Sequence, residues 1–128
     1  MSTQDELTEL HAEQKAWQAS ISKHIEEIKT LEDQLASIIK RKADTDTLRH
    51  VEHFQNQFII QRESLDILRH DCKQYENEIE YIQANAKDKT GIGINSLHDV
   101  EQNKLSDFEN NFANLKSEFQ GFYSSIVN

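Results

Sequence analysis

Proline is absent, and glycine stands at three positions, two of which, Gly91 and Gly93, lie together. Both residues are costly inside helices, so their scarcity fits a nearly all-helical chain with one clear break. Cysteine occurs once, at Cys72, which excludes an internal disulfide. No hydrophobic run approaches the roughly 18–20 residues that a membrane-spanning helix needs. Residues 1–14 are acidic and polar, without the basic and apolar regions of a signal peptide. A cytoplasmic location is therefore expected. Basic residues are few, 14 Lys and Arg against 23 Asp and Glu, for a net charge of −9. Such a body repels phosphate backbones, which argues against general nucleic-acid binding.

Catalytic signatures are missing as well. There is no Gly-x-Ser-x-Gly elbow, and Gly91-Ile92-Gly93 lacks the third glycine and the preceding strand of a dinucleotide-binding turn. The chain is expected to be non-enzymatic and to need no cofactor.

What is present is a heptad seam that appears twice. In the first stretch Leu7, Gln14, Ile21, Ile28 and Leu35 alternate with Leu10, Trp17, His24, Leu31 and Ile38. In the second, Val51, Phe58, Leu65, Cys72 and Ile79 alternate with Phe54, Gln61, Leu68, Tyr75 and Ile82. The 3-then-4 spacing keeps one helix face against a partner. With 36% hydrophobic and 29% charged residues, the composition suits long helices that each bury one stripe. The spacing predicts helix one over about 3–42, a turn at 43–47 capped by Asp or Thr, and helix two over about 47–86. A fold-back around residues 44 and 45 sets Ile38 opposite Val51, Leu31 opposite Phe58, Trp17 opposite Cys72 and Leu7 opposite Ile82. Lys40, Arg41, Lys42 and Arg49 make the turn a small basic tip, read as a solvated turn near the last carbonyls of helix one.

Residues 87–95 break the pattern and read as a loop, its two isoleucines tucked against the bundle end. Helix three is expected over about 96–126, opened by Ser96-Leu97-His98-Asp99 at capping-box spacing. Its seam holds Leu105, Phe108, Phe112, Leu115, Phe119, Phe122 and Ile126. Such a phenylalanine face is not left in water. It completes an intramolecular bundle or packs against another subunit. The expected fold is therefore all-α, a long antiparallel coiled-coil-like hairpin joined by a third helix into a three-helix bundle, in one domain.

Helix two carries a second stripe, Ile60, Ile67 and Tyr81, with Ile59 alongside. Helix three is expected to cover it; an isologous dimer is the alternative. The candidate contact surface is Ile60, Ile67, Phe108, Phe112, Phe119 and Phe122, and the expected partner is a second copy or another helical protein.

Polar residues interrupt the seams at Gln14, His24 and Gln61, which the register sets opposite Tyr75, Leu65 and Ile28. Such residues commonly fix register or oligomer state. They also leave open a bundle that binds a metal or small ligand. His50 and His53, one helical turn apart, are the candidate ligands, though no further ligand accompanies them. The Glu-x-x-His signature of di-iron bundles does not occur.

The run Val51-Glu52-His53-Phe54-Gln55-Asn56-Gln57-Phe58-Ile59-Ile60-Gln61-Arg62-Glu63, continuing loosely to His70, resembles a segment of small uncharacterised helical proteins of bacteria. The resemblance implies a bacterial, cytoplasmic helical protein and no activity. A three-helix unit with Trp17 in its first helix also resembles a spectrin-type repeat, but helix three lacks the tryptophan expected there and the chain holds one unit.

Overall fold

The computed structural model describes the backbone of residues 3–84 and 91–127 and the side chains of residues 6–84 and 97–127. Three helices account for the described backbone apart from residues 42–44: α1 (Thr3–Arg41), α2 (Thr45–Ala84) and α3 (Gly91–Val127). Each holds 37 to 40 residues, so at 1.5 Å per residue each is about 55–60 Å long. The pairs Glu13–His98 and His24–Glu109 advance together along α1 and α3, so these helices run parallel. Asp71–Lys104 and Phe54–Phe122 show α2 running against α3. The result is the expected all-α, three-helix bundle.

One short turn makes the hairpin. Asp44 caps α2: its carboxylate accepts the Thr47 N–H at 3.2 Å and the Thr47 hydroxyl at 2.6 Å. This satisfies an N–H that the first turn of any helix leaves unpaired. The Leu48 N–H then reaches the Asp44 carbonyl at 3.0 Å, so α2 starts two residues earlier than the spacing predicts. Those bonds hold the Asp44 carboxyl below its usual pKa, the Thr47 hydroxyl foremost. Thr47 itself is buried beneath the turn.

The seams form the core. Leu7, Trp17, Ile21, Ile28, Leu31, Leu35 and Ile38 of α1 are buried against the α2 seam from Val51 to Ile82. Leu105, Phe108, Phe112, Leu115 and Phe119 of α3 join the same core, while Leu10, Phe122 and Ile126 pack at its margin. Aromatic rings join α3 to the hairpin. Phe119 sits edge-on to both Phe54 and Phe58 at 5.3 Å, and Phe122 stacks on Phe54 at 5.4 Å. These are the offset and edge-to-face geometries that the ring quadrupole favours.

The register agrees with the fold-back at the turn. The Trp17 ring stacks on Tyr75 at 5.7 Å. A helical side chain leans toward the N-terminus of its own helix, so the indole expected beside Cys72 reaches the next layer along α2.

Two expectations need correction. The first is the break at 87–95. The helix already includes Gly91, Gly93 and Asn95, so Ser96 is an interior residue and not a cap. Glycine is most easily accommodated in the first turn, where the N–H groups are unbonded anyway, and no described glycine has a positive φ. Residues 85–90, including Lys87, Asp88 and Lys89 of that break, lie outside the described residues, as do the side chains of Ile92 and Ile94. The second is the covering of the outer α2 stripe. Ile60 and Ile67 stay 50% and 60% exposed, and Ile59 and Tyr81 are also exposed. α3 lies in the furrow made by the α1 and α2 seams. A position two residues beyond the seam therefore lies at the outer rim of the contact with α3 and stays largely uncovered.

Candidate functional site

Ile60 and Ile67 lie seven residues apart on α2, so two helical turns align them on one face. Together with Leu68 of α2 and Phe108 of α3 they line an open groove of about 350 Å³. Gln61, Ser64, Lys104, Asp107 and Asn111 form its polar margins. Across α2, a second shallow groove runs between Ile59 and Ile39 of α1, with Arg62 and Glu32 paired at 3.1 Å on its rim. Both isoleucines are exposed. The outer side of α2 thus carries apolar surface toward each neighbouring helix.

The six candidate contact residues are divided by the structure. Phe108, Phe112 and Phe119 belong to the core of the chain itself, and Phe122 is half-buried at its edge. Phe112 stacks on Phe108 at 5.4 Å and lies under the Lys116 ammonium at 4.9 Å. Only Phe108 also borders the groove that Ile60 and Ile67 line.

The polar seam residues take three different roles. The Gln14 amide donates to the Cys72 carbonyl at 3.4 Å, a long bond, and its buried Oε1 has no partner. The Tyr75 hydroxyl is buried in the same region and also lacks a partner. Burial, and then the charges of Glu13 and Asp99, push that phenol up to about 12. Burial, with Glu101 and Asp71 adding to it, pushes the Cys72 thiol up to about 11. Glu101 of α3 is a buried carboxyl; burial first and Asp71 second raise its pKa against the pull of Lys104. The Lys104 ammonium sits 3.0 Å from Asp71 and 3.7 Å from Glu101 Oε1, while Glu101 Oε2 is unpartnered. Glu101 was not discernible in the sequence, because a glutamate beside a lysine on a helix ordinarily marks the solvent face.

His24, set by the register opposite Leu65, presents its ring to α3. Its two nitrogens lie 3.1 Å from Glu27 and 2.9 Å from Glu109, and its ring packs on Phe108 and Phe112. Gln61 is half-buried and borders the α2–α3 groove. Neither candidate metal histidine finds a ligand partner. His50 lies against the Phe122 ring at 5.2 Å and His53 against Phe54 at 5.1 Å. Among the described residues no group of three or more His, Cys, Asp or Glu is placed to hold a metal ion. The basic tip is solvated as expected: Lys40, Arg41, Lys42 and Arg49 are exposed, and Lys42 lies 4.0 Å from Asp44.

No helix among the described residues is long and apolar enough to cross a membrane. Comparison of the chain with protein-family models, curated proteins and solved structures gives no match.

Proposed function

We propose that this chain is a non-enzymatic, cytoplasmic helical-bundle protein that mediates protein–protein interaction, in its simplest form self-association into a dimer, through the outer face of α2. The observation that carries this reading is the exposure of Ile60 and Ile67 at 50% and 60%, beside a groove floored by Leu68 and Phe108. A core-seeking residue type aligned over two turns and left in water favours an additional covering element. A second helix laid along α2 buries both isoleucines, as helix-in-groove recognition does. Two copies can meet there about a two-fold axis, each presenting the same face. The buried, free Cys72 suits a reducing compartment.

The test is the Ile67→Lys variant. It leaves the core untouched and places a charge in the contact. The expected result is loss of the dimer with the melting temperature of the monomer unchanged. A wild-type chain that stays monomeric at high concentration counts against self-association.

A second reading, a bundle that takes a small ligand, is favoured by one specific observation. Gln14 Oε1, Tyr75 OH and Glu101 Oε2 are buried without partners toward the same end of the bundle. Buried polar atoms ordinarily find a partner or an ordered water. Stoichiometric extra mass on purified, untagged protein would move this reading ahead of the first.

A further inference from the structure

The α1–α3 contact is fastened by two histidine–carboxylate pairs. His98 of α3 places Nε2 at 2.8 Å from Glu13 of α1 and Nδ1 at 3.2 Å from its neighbour Asp99. His24 of α1 places Nε2 at 2.9 Å from Glu109 of α3 and Nδ1 at 3.1 Å from its neighbour Glu27. The two sites are the same device with the helices exchanged. Each spans 85 positions, and they lie 11 residues, or about three turns, apart along both helices. A third α1–α3 pair, Lys116 with Glu27 at 2.8 Å, stands beside the second.

Each imidazole has a carboxylate oxygen at both nitrogens. A neutral imidazole carries one N–H, so it donates to one carboxylate and turns a lone pair toward the other. Only the imidazolium donates to both. We propose that the α1–α3 seam is a pH-operated latch: it is closed while His98 holds two protons and bridges Glu13 and Asp99, and it loosens when His98 becomes neutral.

The surroundings of the His98 ring fit this use, and the His24 ring shows the same pairing with carboxylates. Around His98 stand Glu13 and Asp99, the neutral Tyr75 phenol of α2 at 6.4 Å and the Trp17 indole of α1 at 5.2 Å. Around His24 stand Glu27 and Glu109, the Lys116 ammonium held by Glu27, and the rings of Phe108 and Phe112. Burial pulls against the charged form of His98, but Glu13 and Asp99 outweigh it and raise its pKa above the ordinary 6.5. A histidine whose folded pKa is raised adds stability that is fully present below the unfolded value and is lost as pH rises through the folded one. The latch therefore opens on the alkaline side of 6.5.

The chain contains its own reporter. Trp17 is the sole tryptophan and its indole lies against the His98 ring, where an imidazolium quenches indole emission. The experiment follows Trp17 fluorescence and melting temperature from about pH 5.5 to about pH 8.5, the range in which histidines titrate. The expected result is emission that rises with pH, with a midpoint above 6.5, while the melting temperature falls over the same step. His98→Gln keeps a donor for Glu13 but cannot titrate, so it removes the fluorescence step and reduces the fall in melting temperature. If His98→Gln fails to fold, Glu13→Gln serves instead and moves the midpoint down toward 6.5. His24→Gln leaves the fluorescence step in place. A wild-type midpoint at or below 6.5, a melting temperature flat across the range, or the same pH slope in wild type and His98→Gln overturns the latch.

Discussion

Truncation of Phe119 to alanine removes the ring that joins α3 to the hairpin. The side chain is fully buried, sits edge-on to Phe54 and Phe58 at 5.3 Å, and is flanked by Tyr123 at 6.0 Å. Its loss forfeits the transfer of a whole aromatic ring and leaves a void among rigid neighbours that cannot collapse into it. Comparable Phe→Ala changes cost about 3–5 kcal/mol, a sum that already includes the void. Against a total stability of about 5–15 kcal/mol, this is a large share. With a urea slope near 2 kcal/mol per molar for a chain of this size, the unfolding midpoint moves down by about 1.5–2.5 M. Phe122→Ala is the control: that ring is half-buried at the margin and shifts the midpoint less. Equilibrium urea denaturation followed by circular dichroism reads both. A shift below about 0.5 M for Phe119→Ala refutes the placement of α3 in the core, because no buried ring of this kind is that dispensable.

Other expected outcomes are as direct. Gly121 lies inside α3 with nothing within 4 Å of an added Cβ, so Gly121→Ala stabilises the chain by up to about 1 kcal/mol and raises the melting temperature by about 3–4 °C in a thermal scan. Cys72, with its thiol pushed up to about 11, holds only about one thiolate in ten thousand at neutral pH, so a disulfide reagent labels it at the rate at which the bundle opens. Labelling as fast as that of a free thiol would place Cys72 at the surface. Zinc in a thermal-shift assay leaves the melting temperature unchanged, because His50 and His53 lean on phenylalanine rings and no group of three ligands stands among the described residues.

The seams were legible because a period of 3.5 over about nine turns has one physical solution, a buried helix face. From Leu7 to Ile38 and from Val51 to Ile82 the positions singled out are buried, apart from Leu10, His24 and Gln61. All three are half-buried, and His24 and Gln61 sit where the hairpin meets or opens toward a third helix, which a two-helix register does not describe. The start of α3 was misplaced because paired glycines signal a break by propensity, whereas packing along the whole helix outweighs a cost of about 1 kcal/mol at each glycine. The outer stripe at Ile60 and Ile67 was visible in the sequence, but not its exposure, which depends on the furrow that α3 occupies. Least legible were the links between α1 and α3. Glu13 and His98 have no local signal, and the equal 85-residue spans become apparent only once two helices that are not consecutive are set side by side.

Native mass spectrometry of the untagged protein, with Ile67→Lys beside it, tests most directly whether two copies of the chain meet through the outer face of α2. The expected result is a dimer of unmodified mass for the wild type and a folded monomer for the variant. A wild-type monomer, or either species carrying stoichiometric additional mass, contradicts it and directs attention to the unpartnered polar atoms of Gln14, Tyr75 and Glu101.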